Sequence, residues 1–104
     1  PIAGVCPSGA PKKVAGDFKF TEGPISDAAG NLYFSDIPNE KIHKLDAEGK
    51  ATVFRDKSNF ANGLMVNAKG EVVACEMSGA IVAISADGKE RRVITDKYEG
   101  NRYN

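Results

Sequence analysis

Tryptophan is absent from this chain of 104 residues, which has only two cysteines and one histidine. Cys6 and Cys75 lie far apart without CxxC spacing, which argues against a structural zinc site. A disulfide between them would require an exported chain, and the apolar neighbours of Cys75 favour a buried free thiol instead. His43 falls inside a predicted strand, which favours a surface or structural role over a catalytic one.

Long runs of one residue class are also missing. Fourteen basic and fourteen acidic side chains cancel, and no lysine or arginine cluster is long enough to follow a phosphate backbone, so nucleic acid is not an expected partner. No apolar stretch approaches the length of a membrane span, and no signal peptide is visible. We therefore expect a soluble protein without a membrane partner, either cytoplasmic or exported with a cleaved signal peptide. Neither a Gly-x-Ser-x-Gly nucleophile motif nor a phosphate-binding glycine loop is present.

The chain does contain an internal repeat with a period of about 40 residues. Residues 20–56 align with residues 60–96, and a one-residue gap after Asp36 places Ile42 on Ile81. Each copy offers four strand-sized runs, separated by turns that contain glycine. The second run of each copy is continuously apolar, which is typical of a strand buried on both faces. Four strands per unit at this period are typical of β-propeller blades.

The repeat predicts an all-β fold made of two four-stranded propeller blades. We expect an irregular lead-in over residues 1–19 with a short strand near 14–20, blade 1 over 20–59, blade 2 over 60–96 and the start of a third blade over 97–104. Two blades cannot close a ring, and several hundred Å² of apolar surface left in water would cost on the order of 10 kcal/mol. The ring is therefore expected to be completed by further blades of a longer polypeptide or by copies of this chain.

Glu22 and Asn62 occupy the same slot of the two copies, directly before a glycine in the first strand. The first strand of a propeller blade lies innermost, so equivalent side chains form a ring around the central channel. A ring of carboxylate and amide oxygens suits a hard cation, Ca²⁺ above all. The alternative is that Glu22 is a solvated loop carboxylate and that Asn62 belongs to an Asn-Gly turn. The pattern alone leaves both interpretations open.

Several spaced motifs resemble those of the SMP-30/gluconolactonase/LRE-like family. They are Phe20-Thr21-Glu22-Gly23-Pro24, Gly30-Asn31-Leu32-Tyr33-Phe34-Ser35-Asp36-Ile37-Pro38-Asn39, Ala61-Asn62-Gly63-Leu64 and Ala74-Cys75-Glu76. The resemblance implies a six-bladed propeller that hydrolyses sugar lactones or related esters with a divalent metal in its central channel. It also implies that Glu22 is a metal ligand and that Asn62 and Asn104 line the substrate pocket. The other metal ligands and the catalytic aspartate are expected beyond residue 104.

Three functions follow from this resemblance as hypotheses. The first is a gluconolactonase-like hydrolase, represented here by its first two blades, with a small lactone or ester as substrate and Ca²⁺ as the expected cofactor. The second is a propeller of the same kind that cleaves organophosphate esters. The third is a non-catalytic propeller portion that serves as a scaffold or association module. Two blades do not distinguish the substrates of the first two.

Overall fold

The fold consists of two antiparallel sheets of four strands each, followed by a short hairpin. It was established from a computed structural model that describes Gly4 and residues 9–103. The strands are β1 (Thr21–Ser26), β2 (Leu32–Asp36), β3 (Lys41–Leu45), β4 (Ala51–Asp56), β5 (Ala61–Val66), β6 (Val72–Glu76), β7 (Ile81–Ile84), β8 (Arg91–Thr95), β9 (Lys97–Tyr98) and β10 (Asn101–Arg102). Strands β1–β4 form blade 1 and β5–β8 form blade 2, each in sequence order. The predicted all-β fold with two four-stranded blades is confirmed.

Helical structure in the described residues is limited to one 3₁₀ turn, Ile37–Asn39, between β2 and β3. None of the described helical structure has the length and apolar character needed to cross a bilayer. The 3₁₀ turn ends at Glu40 in a left-handed conformation, with φ of 52°. Blade 2 makes the same connection with a tighter turn at Ser78-Gly79. This difference in length accounts for the one-residue gap in the repeat.

The strand register shows that the two blades are built alike. The pairing of first and second strands shifts between Glu22 and Ile25 in blade 1 and between Ala61 and Leu64 in blade 2. A second shift follows Ile42 in blade 1 and Ile81 in blade 2. Because both irregularities recur at matched positions, the alignment of Ile42 with Ile81 is confirmed.

Each blade has a front face and a back face, defined by the alternation of side chains along its second strand. The front face carries Phe34 and His43 in blade 1, and Ala74 and Val82 in blade 2. The back face carries Tyr33, Ser35 and Ile42 in blade 1, and Val73, Cys75 and Ile81 in blade 2. The back face of blade 1 packs on the front face of blade 2.

The contact between the blades, called the joint, contains the apolar core. Ile42 from the back face of blade 1 has no exposed surface. Its cluster includes Ala61, Ala74, Ala80, Val82 and Ile84 of blade 2, with Phe54 and Leu64 packed against it. Small side chains of blade 2 thus receive the larger side chains of blade 1, and close packing of this kind is what holds sheets together.

Two sets of hydrogen bonds also cross the joint. The hydroxyl of Ser35 donates to the carbonyl oxygen of Asn62 at 2.9 Å. At the outer side, Nη1 of Arg55 donates to the carbonyl oxygens of Gly88 at 3.2 Å and Lys89 at 2.9 Å. These bonds join side chains of blade 1 to backbone carbonyl groups of blade 2, so they help to fix the position of one blade relative to the other.

The lead-in differs from the prediction. The structure assigns no strand to residues 14–20, where the sequence predicted a short one. The backbone N–H groups of Lys19 and Phe20 donate to the carboxylate of Asp36 at 3.2–3.3 Å instead of pairing with a neighbouring strand. The ring of Phe18 lies edge-on to Phe34, with centroids 4.9 Å apart. Residues 10–20, called the strap, therefore pass over the front face of blade 1, which the sequence led us to expect exposed.

The back face of blade 2 has no such cover among the described residues. Met65 is 66% exposed and Ile94 is 48% exposed. Cys75 is also exposed, so the prediction of a buried thiol was wrong. The error arose because Cys75 points to the back face, whereas its neighbour Ala74 points into the joint. Cys6 lies outside the described residues, and the predicted alternative of a disulfide with it stays a prediction.

Candidate functional site

Glu22 and Asn62 lie on adjacent strands, because β1 and β5 contact each other at the joint. Both side chains are exposed. Oε2 of Glu22 accepts a hydrogen bond from the backbone N–H of Gly23 at 3.0 Å. The Glu22 carboxylate makes no ion pair within the part of the chain that the structure describes. Its charge therefore remains available to a ligand.

Gly23 permits the close approach of the two first strands. Its φ of +60° is in the left-handed region, which disfavours every residue with a side chain. A Cβ at this position would lie 2.2 Å from the carbonyl oxygen of Asn62. The glycine that follows the candidate metal ligand is thus required by the packing of the two blades.

The grooves beside Glu22 and Asn62 are separate. Glu22 borders an open groove of about 530 Å³, whose walls include Phe34 of β2 and Lys12 and Lys13 of the strap. Asn62 borders another of about 510 Å³, together with Arg102 of the final hairpin. The described residues therefore form two partial sites and do not bring Glu22 and Asn62 into one pocket. Asn104, the third predicted site residue, lies outside the described residues.

The oxygens present fit part of a calcium site. A carboxylate on β1 and a side-chain amide on β5 are ligand types that Ca²⁺ accepts, but it takes six to eight oxygens. Within residues 9–103, no three His, Cys, Asp or Glu side chains come together in a group that could hold a metal ion. Glu22 and Asn62 therefore match the chemistry of such a site and supply too few ligands to complete it.

The buried carboxylates of Asp36 and Glu76 occupy matched positions of the repeat. The sequence did not predict a role for either. Asp36 accepts bonds from Nδ2 of Asn39 at 2.8 Å and from the strap backbone. Burial alone would raise the pKa of Asp36, but these hydrogen bonds outweigh it and lower the pKa below its usual range. Its counterpart Glu76 accepts two bonds of 2.7 Å from the guanidinium of Arg91. Both carboxylates are thus held by hydrogen bonds within the fold, and Glu76 also lines the groove beside Asn62.

Comparison with known proteins decides the family. The profile of the SMP-30/Gluconolactonase/LRE-like region matches residues 20–104. The chain belongs to the SMP-30/gluconolactonase/LRE-like family. This confirms the resemblance found in the sequence motifs, and it covers both blades and the final hairpin.

Relatives within this family share sequence and fold. The chain is 29% identical to the gluconolactonase of Zymomonas mobilis subsp. mobilis over 106 residues, covering 88% of this chain and 30% of the relative. The structure of the Xanthomonas campestris gluconolactonase is 28% identical with a TM-score of 0.78, covering 86% of this chain and 30% of that one. An X-ray structure from a structural genomics consortium, assigned as a gluconolactonase, is 26% identical with a TM-score of 0.79, covering 88% and 32%. The chain thus spans about a third of the length of these relatives.

His43 lies on the front face of blade 1 and lines neither the groove beside Glu22 nor the groove beside Asn62. Its ring stacks on Phe34, with centroids 5.4 Å apart, and contacts Phe18 of the strap at 4.7 Å. Nε2 is buried without a hydrogen-bond partner among the described residues and lies 3.9 Å from Oδ2 of Asp36. These contacts agree with the predicted structural role.

Burial of His43 makes the stability of the fold depend on pH. Burial lowers the pKa of His43; the negative charge of Asp36 opposes this shift and the positive charge of Lys41 adds to it. Below about pH 6.5 the unfolded chain therefore takes up a proton before the folded chain does. The free energy of unfolding should fall as the pH drops from about 6.5 to the lower pKa of folded His43.

Urea denaturation at a series of pH values checks this expectation. In His43→Gln, whose amide does not titrate, the decline between neutral and mildly acidic pH should disappear, whatever the absolute stability of the variant. Asp36 titrates at lower pH and does not contribute in this window. An unchanged slope in the variant would show that another group is responsible.

Proposed function

We propose that this chain supplies two blades of a divalent-metal-dependent hydrolase of sugar lactones or related esters. The observation that carries the proposal is the carboxylate of Glu22, exposed at the inner strand of blade 1 beside β5 and without an ion pair among the described residues. Membership of the family and the gluconolactonase names of its relatives support the same reaction class.

In this proposal Glu22 is one ligand of a Ca²⁺ ion, and Asn62 and Asn104 contact the substrate. The further ligands and the catalytic aspartate come from other blades. A divalent ion supplies Lewis-acid chemistry toward the carbonyl group of a lactone. The contribution of this chain is to orient the Glu22 carboxylate through the N–H of Gly23 and to hold β1 and β5 at the distance that the Gly23 backbone allows.

A chimera tests the proposal, because this chain spans only about a third of its relatives. The present chain would replace the matched third of the Xanthomonas campestris gluconolactonase, and lactone hydrolysis would be followed at constant pH. We expect turnover in the chimera and a loss of about 100-fold or more in kcat/KM for Glu22→Gln, because loss of even an outer-shell partner of a metal ligand costs about 10- to 100-fold in metal affinity or activity. Glu48→Gln, which changes an exposed carboxylate in the turn between β3 and β4, is the matched control and should leave kcat/KM unchanged.

Calcium binding gives a readout besides activity. Calcium should raise the thermal midpoint of the chimera and of its Glu48→Gln variant, but by less in Glu22→Gln, because a ligand stabilises the state that binds it. Full turnover in Glu22→Gln would show that Glu22 is not a ligand of the metal ion. A folded chimera that cleaves phosphotriesters and not lactones would favour the organophosphate hypothesis, and one inactive on both would favour a scaffold.

A further inference from the structure

Ser35 connects the two strands that carry the candidate site residues. It is the cross-strand neighbour of Glu22 in the pairing of β1 with β2, directly before the register of β1 shifts. Its side chain has no exposed surface. From the back face of blade 1, the Ser35 hydroxyl donates to the carbonyl oxygen of Asn62 at 2.9 Å. One residue thus contacts β1 through its backbone pairing and β5 through its side chain.

Two groups of blade 1 meet the carbonyl oxygen of Asn62. One is the Ser35 hydroxyl, and the other is the backbone of Gly23, which lies so close that a Cβ there would be 2.2 Å from the same oxygen. The N–H of Gly23 in turn donates to the Glu22 carboxylate at 3.0 Å. The Ser35 hydrogen bond therefore holds the backbone of Asn62 where β5 approaches the residue that orients Glu22.

The sheet itself does not require a serine at this position. The repeat aligns Ser35 with Cys75 of blade 2. Strand β6 pairs with β7 around Cys75 as β2 pairs with β3 around Ser35, so the strand forms without a hydroxyl in this slot. Burying a hydroxyl group is unfavourable unless it has a hydrogen-bond partner. The Ser35 hydroxyl has such a partner, and this partner is the backbone of a candidate site residue.

We propose that Ser35 is a positioning residue for Asn62. Its hydroxyl holds the Asn62 backbone, and with it the Asn62 side chain, in a fixed place relative to Glu22. This inference rests on the proposed function, in which Asn62 contacts the substrate and Glu22 binds the metal ion. Glu22 itself is held by its backbone pairing with Ser35, which a change of the Ser35 side chain leaves in place. Loss of the hydroxyl should therefore weaken substrate binding and spare the metal ligand.

Ser35→Ala removes the hydroxyl and tests the contact directly in this chain. Asn62-Gly63 is the only Asn-Gly sequence of the chain. Labelling with carbonyl-¹³C asparagine and ¹⁵N glycine therefore gives a single HNCO correlation, from the Asn62 carbonyl carbon to the Gly63 amide. The carbon resonance should move upfield in Ser35→Ala, because a carbonyl group that loses a hydrogen bond is less polarised. Ser85→Ala should leave it in place, since the Ser85 hydroxyl makes its hydrogen bonds within the connection between β7 and β8.

The chimera with the Xanthomonas campestris gluconolactonase tests the effect on the reaction. Ser35→Ala should raise KM for the lactone about three- to tenfold, the range that loss of one neutral hydrogen bond spans. It should leave kcat and the stabilisation by calcium unchanged, because substrate binding alone is weakened. Ser85→Ala is the matched control, since it also loses hydrogen bonds that stabilise the fold, and it should change neither KM nor kcat. A role confined to stability would move KM in neither variant.

The inference is overturned by an unmoved carbonyl resonance in Ser35→Ala, or by a KM in Ser35→Ala equal to that in Ser85→Ala. A loss of calcium stabilisation in Ser35→Ala as large as in Glu22→Gln would also overturn it, because Ser35 would then act on the metal ligand. Full turnover in Glu22→Gln, or an inactive chimera, contradicts the proposed function instead. In that case the carbonyl resonance decides whether Ser35 holds Asn62.

Discussion

Gly23→Ala is expected to destabilise the chain by about 3–5 kcal/mol. The added methyl group would lie 2.2 Å from the carbonyl oxygen of Asn62, and the backbone at position 23 has a φ of +60°. Both the clash and the unfavourable dihedral act at a contact between the two blades. Because a domain of this size is stable by only 5–15 kcal/mol, a large share of the chain should be unfolded at modest urea concentrations. Urea unfolding followed by circular dichroism measures the change.

The repeat supplies the matched control for this prediction. Gly63 is the counterpart of Gly23 in blade 2, but its φ is not in the left-handed region and a Cβ there would meet nothing within 4 Å. Gly63→Ala should change the free energy of unfolding by less than about 1 kcal/mol, in either direction. Equal losses in the two variants would show that the glycine is required by the slot itself and not by contact with a second blade.

The two-blade architecture could be predicted because the repeat encodes it twice. Glycine at the turns, apolar second strands and a constant spacing all indicate the same unit, and agreement between such signals is characteristic of a well-specified fold. The pairing of Glu22 with Asn62 on neighbouring strands follows from the same repeat. Their separation into two grooves does not, because it depends on how the strap and the final hairpin lie on the blades.

The strap was not predictable for a physical reason. Its docking depends on Asp36, a polar residue in an apolar strand, whose carboxylate accepts bonds from the backbone of Lys19 and Phe20. Nothing in the local sequence of residues 10–20 indicates that a distant side chain replaces a strand partner. The connections are equally hard to predict where residues other than glycine adopt positive φ, as Glu40, Asn59 and Phe60 do. Glutamate and phenylalanine are seldom found in this region, so the local sequence around Glu40 and Phe60 does not indicate it.

Ile42→Ala is expected to cost about 3–4 kcal/mol, within the range for truncation of a buried isoleucine. Ile42 is fully buried in the joint, and its cluster partners Ala74 and Val82 are too small to fill the cavity left behind. Ile81 is the same residue in the same slot of blade 2, but it points to the back face and is only partly buried. Ile81→Ala should therefore cost roughly 1 kcal/mol in the isolated chain.

The difference between the stability costs of Ile42→Ala and Ile81→Ala measures how much a neighbouring blade stabilises the isoleucine in this slot. Urea unfolding of both variants at low protein concentration should give clearly unequal losses, and equal losses would contradict the description of the back face of blade 2 as uncovered. Where a further sheet covers that face, the cost of Ile81→Ala should rise toward that of Ile42→Ala. Repeating the measurement on Ile81→Ala in the chimera with the Xanthomonas campestris gluconolactonase would show this rise, because the slot would then be buried as Ile42 is in the joint. The side chain of Ile81 would thus change from a minor to a major contributor to stability because the next blade buries it.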